Sequence, residues 1–346
     1  MFRRLAASLA DEFAGVSLLY GVMRHGNRPP RRGPASATDP RDLLSGDPHR
    51  LFGPRPAAGD ATFTPLPAAE ANRVAGCGRV EDFAFPSSDV TGEPANDLVR
   101  GRIWRAGSNP DGRCVLAFDG IVQAGFGNLR AFARELCPAG VDLATIDLPL
   151  NHRRTPPGYR PGQLVLGGDL VHVLSVLRQT VRDAAAARAM LCDRGEHPGG
   201  VALAGISFGG WTALQTAALL GSVWTTDAPP PWVCGVCPAT DLLLELTAGG
   251  TLVRAARRNL GLSPADRAGL APVGASVRPA AYPAPVGPGR VALHAAEYDR
   301  FVSSAAIKAL AAAWNGTLTR HRTGHMGLAA APYYLRKVAR EWPGMW

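Results

Sequence analysis

Apolar and polar positions fall into short blocks along most of this chain, and their period shifts between two and 3.6 residues. The runs Val80–Phe85, Leu98–Trp104, Cys114–Phe118, Val141–Ile146, Val201–Ala204, Trp232–Cys237, Val291–Ala295 and Thr317–His321 are short, apolar and bounded by turn formers, which predicts strands. Between them, helical spacing covers Asn128–Leu136, Asp169–Arg194, Trp211–Leu220, Ser303–Trp314 and Tyr333–Trp342. Strands that alternate with helices call for βαβ units and a mostly parallel sheet with helices on both faces. The turn-rich segment 87–96 joins the first two runs as an antiparallel hairpin at one edge, giving about eight strands in an α/β domain.

The flanks break this pattern. Residues 5–24 predict an amphipathic helix packed on the domain, and residues 25–75, rich in Pro, Arg, Gly and Ala, predict an irregular arm. The chain is therefore divided into an N-terminal helix and arm, 1–78, and an α/β domain, 79–346, in which the weakly periodic, Pro-rich stretch 241–290 is expected to form a small lid or cap insertion. The opening Met1-Phe-Arg-Arg-Leu has the basic start of a signal peptide, but Asp11 and Glu12 interrupt its apolar run. The apolar run 13–23 is too short for a bilayer, so no stable membrane insertion is expected.

Composition narrows the function classes. At 346 residues and 46% hydrophobic content the chain can bury a full core. Its net charge of +9 is carried almost wholly by scattered arginines, with Lys308 and Lys337 the only lysines. The densest basic run, Arg24–Arg32, has no interleaved aromatic residues, so no nucleic-acid partner is expected. Six cysteines spread through apolar segments read as free thiols of a cytoplasmic protein. Cys234 and Cys237 form a C-x-x-C, but it lies within an expected strand that would send the two side chains to opposite faces, and with no second ligand pair no metal is predicted.

One motif carries chemistry. Val201-Ala-Leu-Ala-Gly205-Ile206-Ser207-Phe208-Gly209-Gly210-Trp211 is an apolar strand, then G-x-S-x-G, then a helical pattern. That context defines a nucleophile elbow, where small residues let a strand turn sharply into a helix and lift a serine hydroxyl clear of the backbone. Serine needs a base to take its proton, and the base an acid to orient it, in the chain order Ser, Asp, His. Asp299 follows the strand Val291–Ala295, and His325 follows Thr317–His321 between Gly324 and Gly327. Glu297 and Asp241 are rival acids, and Asp299 could instead cap the next helix. His294 is expected in the core, His321 on a sheet face, and His25, His49 and His197 in polar loops. The backbone N–H of Phe208 is one expected oxyanion donor, and that of Gly120 or Ile121, after the third expected strand, the other. Asp119 stands beside them, where it should point away or pair with an arginine. Phe208, Trp211 and Met326 flank catalytic positions, and Trp211 and Met326 are candidate substrate contacts together with His152, although aromatic residues so placed are more often core. His152 borders the site mouth or else bonds its own Pro-rich loop, and Arg153 and Arg154 could receive a substrate carboxylate.

These residues resemble the α/β-hydrolase superfamily over about 79–346, and Asp147–Gly158 with Arg178–Asp183 look like its abhydrolase-domain group related to carboxylesterases and dienelactone hydrolases. The resemblance implies a serine hydrolase that cleaves a small-molecule carboxylic ester through an acyl-enzyme, with no cofactor. An acyltransferase or thioesterase would use the same triad, and a non-catalytic scaffold is the alternative from another class.

Overall fold

The computed structural model describes residues 7, 8, 10–12, 38–165, 170–225, 228–242 and 271–346. Nine strands make one sheet: β1 (Thr62–Pro65), β2 (Cys77–Pro86), β3 (Leu98–Ala106), β4 (Arg113–Phe118), β5 (Val141–Ile146), β6 (Val201–Ile206), β7 (Val233–Val236), β8 (Val291–Ala296) and β9 (Thr317–His321). Their order is β1-β2-β3-β5-β4-β6-β7-β8-β9. β1, β2 and β3 pair antiparallel, β3 meets β5 antiparallel, and β5 through β9 run parallel. The apolar runs β6 and β7 are buried at every position and lie in the interior of the sheet, while β1 and β9, with exposed residues, take its edges.

The helices cover both faces. α1 (Gly127–Leu136) and the C-terminal helix Pro332–Ala339 lie on one apolar layer with Phe132, Trp232 and Trp342. α2 (Leu170–Asp193), α3 (Phe208–Leu220) and α4 (Ser304–Ala313) lie on the other, which holds Phe118, Leu177, Leu214 and Leu310. The chain leaves β5 through α2 and re-enters on the far side of β4, so the winding direction reverses between β4 and β6. Ligands of open α/β sheets bind beyond the carboxyl ends of the strands at such a switch point.

The structure departs from the expected arm. Residues 62–65 form β1, Thr62–Pro65 pairing with Glu81–Ala84, and Pro40–Leu43 and Pro48–Phe52 form short helices that bury Leu43, Leu51 and Phe52 in the core. Pro and Gly marked the turns between these elements, each too short to show a period. Of the expected N-terminal helix, residues 7, 8 and 10–12 are described and helical; the basic run Arg24–Arg32 and His25 lie outside the described residues. Much of the expected lid, 243–270, lies outside them too. Its described end does not stand apart from the domain: Trp211 Nε1 donates to Val277 O at 2.8 Å and Gln215 Nε2 to Ser276 O at 3.0 Å. Among the described residues no helix is long and apolar enough to cross a membrane.

Several charges are inside. Arg154 is 0% exposed and pairs with Asp183 at 2.8 Å, while Ser87 Oγ donates to Asp183 at 2.7 Å and Arg154 Nε to Asn96 O at 3.0 Å. Arg153 lies against Asp147 at 2.7 Å and Asp82 at 2.8 Å. Neither arginine waits for a substrate carboxylate; both tie the loop after β5 to the body. His197, expected in a polar loop, is buried 3.2 Å from Asp142. Burial opposes its charge, but the Asp142 hydrogen bond and a contact with Cys114 prevail and lift its pKa to about 10.

Arg154→Met removes the countercharge of a buried Asp183 and three donors to the backbone carbonyls of Asn96 and Asp147. It should cost about 3–5 kcal/mol in urea unfolding followed by circular dichroism; a loss below about 1 kcal/mol would mean the pair carries little of the fold.

Candidate active site

The register places the expected residues together. Phe118 pairs with Gly205, and Ile206 with Val236, so the segments after β4, β6 and β7 emerge side by side. Ser207 sits where β6 turns into α3, at φ 53° and ψ −116°. A non-glycine residue there is strained. Its backbone is held on both sides: its N–H donates to Val236 O at 2.8 Å, and its carbonyl accepts from Trp211 at 3.0 Å and Ala239 at 3.2 Å. The two motif glycines are required by space. A Cβ on Gly205 would lie 2.1 Å from Gly209 O, and one on Gly209 would lie 2.4 Å from Phe118 O.

Ser207 Oγ lies 3.0 Å from His325 Nε2, and His325 Nδ1 lies 2.8 Å from Asp299 Oδ2. Asp299 uses its two oxygens separately: Oδ2 faces the imidazole, while Oδ1 accepts the N–H groups of Phe301 and Val302 at 2.8 and 2.9 Å, so it braces its own loop and does not cap the next helix. The cap of α4 is Ser303, whose hydroxyl accepts from Ala306. The rival acids are engaged elsewhere, Asp241 with Arg278 at 3.9 Å and Glu297 with Arg322 at 4.0 Å. His294 and His321 lie 3.2 Å from one another, and burial lowers both pKa values, that of His294 to about 3, so these two rings stay neutral.

His325 is 5% exposed. Burial disfavours its charged form, yet the Asp299 carboxylate, by charge and by hydrogen bond, outweighs that and raises its pKa well above 6.5, with the Cys237 sulfur adding to the shift. Sequence reasoning missed Cys237. β7 ends at Val236, one residue sooner than expected, and Cys237 leaves it at φ 45°. Cys234 and Cys237 therefore pack in the same apolar layer rather than on opposite faces. Cys237, Asp299 and His325 bring three possible metal-ligand atoms within 4.8 Å, but both ring nitrogens of His325 are already committed within the triad.

The two N–H groups expected after β4 differ in their bonding. Gly120 N–H is spent on Asp119 Oδ1 at 2.8 Å, whereas Ile121 N–H makes no hydrogen bond among the described residues. Phe208, the first residue of α3, has no acceptor for its N–H within the helix. Asp119 takes Asn128 Nδ2 at 2.9 Å rather than an arginine, and burial raises its pKa against those two hydrogen bonds and the nearby His152. Trp211 is 0% exposed, stacked 5.4 Å from Phe208, and offers no surface to a substrate. An apolar residue one turn beyond the serine marks the core here, not the pocket. His152, at φ 43°, turns Nδ1 to Asp147 at 3.2 Å and packs edge-on to Phe126, which supports its loop-anchoring reading. Met326 is partly exposed beside His325.

Sheet order, switch point and elbow together define the α/β-hydrolase fold. Comparison with solved structures agrees. An acetyl xylan esterase from Paenibacillus sp. R4 superposes with a TM-score of 0.61 at 17% identity, over 91% of this chain and 97% of that one. An esterase from Pyrobaculum calidifontis superposes at 0.54 and 16% identity, over 78% and 86%. No protein-family model matches the sequence, and neither does any curated protein sequence.

An NMR titration of the His325 ring should place its pKa above 6.5. Asp299→Asn removes the charge that favours the imidazolium while burial stays, so the value should fall; an unchanged value would show that Asp299 does not set it.

Proposed function

We propose that the chain is a serine hydrolase that cleaves a small-molecule carboxylic ester through an acyl-enzyme. The observation that carries this reading is the unbroken chain of contacts from Ser207 Oγ through His325 to Asp299, begun by a serine held at a strained elbow. Such strain persists only where surrounding structure maintains it, and it gathers at functional sites. The fold it shares with an acetyl xylan esterase and another esterase supports an ester as the substrate.

The steps follow from the geometry. His325 Nε2 takes the hydroxyl proton as Ser207 Oγ attacks the acyl carbonyl, and the Asp299 carboxylate stabilises the imidazolium without becoming protonated. The carbonyl oxygen gains negative charge in the transition state, with the N–H groups of Phe208 and Ile121 as its donors. His325 then passes its proton to the departing alkoxide, leaving the acyl group on Ser207. A water molecule gives a proton to His325 as its oxygen attacks the acyl carbon; the bond from that carbon to Ser207 Oγ then breaks, His325 returns the proton to Oγ, and the acid leaves. Because the base must be neutral, kcat/KM rises with pH through the raised pKa of His325.

A fluorophosphonate probe should label the purified wild type and not Ser207→Ala, and p-nitrophenyl ester hydrolysis should drop on the order of 10⁴-fold or more in that variant. Folded wild-type protein that neither takes the label nor releases p-nitrophenol would overturn the reading in favour of a non-catalytic scaffold.

A further inference from the structure

Asp11 stands in the helical stretch at residues 10–12, far from the triad in sequence, and is 1% exposed. Its carboxylate accepts three backbone N–H groups: Oδ2 takes His325 N at 2.9 Å and Arg300 N at 3.2 Å, and Oδ1 takes Met326 N at 3.0 Å. His325 is the catalytic base, and Arg300 directly follows the catalytic acid. One side chain thus bonds the loop that bears the acid and the loop that bears the base. Beside it, Glu12 Oε1 lies 3.1 Å from the Arg300 guanidinium.

The chemistry suits the task. His325 and Met326 open the short helix His325–Ala329, so their N–H groups have no acceptor within it. A carboxylate satisfies two such donors at once, and its negative charge is favoured at a helix start. The close approach has a steric condition. A Cβ at Gly324 would lie 2.9 Å from both Asp11 oxygens, although Gly324, at φ −89°, has a backbone that any residue can adopt. The glycine before the catalytic histidine is therefore needed by the close approach of Asp11 and of the Ala7 carbonyl, 3.0 Å from the same point, and not by the turn. Without Asp11, three N–H groups lose their acceptor, which is costly for each that stays buried. The loops would relax by moving, and His325 would move with them.

We propose that Asp11 is a positioning residue of the triad, which fixes the acid-bearing and base-bearing loops to each other and holds His325 between Ser207 and Asp299. This deepens the hydrolase reading and rests on it, so its test has one arm that needs no turnover. The first readout is the far-downfield proton resonance of the His325 Nδ1–H facing Asp299, recorded on full-length wild type, Asp11→Ala and Asp11→Asn. It should be present in the wild type, weakened in Asp11→Asn, which keeps one acceptor oxygen, and broadened or lost in Asp11→Ala. The second readout is p-nitrophenyl ester kinetics, normalised to active sites titrated with fluorophosphonate. kcat should fall about 10- to 100-fold in Asp11→Ala with KM nearly unchanged, and less in Asp11→Asn. A role confined to stability would lower the melting temperature of both variants while leaving the resonance and the kcat per titrated site as in the wild type, and that result overturns the proposal. If Asp11→Ala does not fold, the isosteric Asp11→Asn decides by the same readouts. A wild type that shows the resonance but has no esterase activity removes the hydrolase reading, and the resonance in the variants still judges Asp11.

Discussion

The turn from β6 into α3 passes so close to the end of β4 that the carbonyls of Phe118 and Asp119 fill the space where a side chain on Gly209 would stand. That approach forces Ser207 into its strained conformation, a cost of about 1–3 kcal/mol that the neighbouring strands must hold. They hold it through Val236 O and the N–H of Ala239, both on the β7 side. Ser207 is thus clamped between β4 and β7, and the other candidate-site elements arrive at a position already fixed. The loop after β4 brings Ile121, the end of β8 brings Asp299, and the segment after β9 brings His325. Had the elbow been looser by one methyl group on either glycine, the serine would have moved off the line of the imidazole.

Buried charge is the second organising factor. Arg154, Arg153, Arg105 and Arg182 face Asp183, Asp147, Asp142 and Asp89 inside the domain. A guanidinium can offer a planar set of donors to a carboxylate and to carbonyls in the same plane, which a lysine cannot. The arginine-rich composition that could suggest a polyanionic partner is in part consumed in joining loops to the sheet. Replacing such pairs by apolar residues of similar volume is often neutral for stability. Their value here is geometric, because the ion pairs fix the loop after β5, on which His152 packs against Phe126.

The sheet and the meeting of Ser207, His325 and Asp299 were legible because each is written locally. An all-apolar run bounded by turn formers can only be a buried strand or a short helical piece, and G-x-S-x-G between a strand and a helix has few other uses. Asp299 and His325 could be placed because loops at the carboxyl ends of parallel strands converge. Three features were not legible. β1 is four residues long and lies among prolines, so no period could reveal it. Trp211 could be taken for a pocket wall because it neighbours the serine, yet one turn of α3 carries it into the core, where its N–H meets Val277 O. Asp11 appeared only as an interruption of an apolar run. An interrupting charge is uninformative until its partners are known, and its partners lie about 290 to 315 residues away.

Asp119, Asp299 and Asp11 share one device. Each sits among the segments at the catalytic end of the sheet and accepts backbone N–H groups there: Asp119 from Gly120, Asp299 from Phe301 and Val302, Asp11 from Arg300, His325 and Met326. Loops that carry catalytic groups leave the regular ladder and expose amide donors that water would otherwise satisfy. A carboxylate satisfies several at once by charge-assisted bonds, stronger than a neutral acceptor would make. The loops can then be held in place while remaining free of secondary structure. The electrostatics of the triad and the mechanical order of its loops therefore depend on the same class of bond.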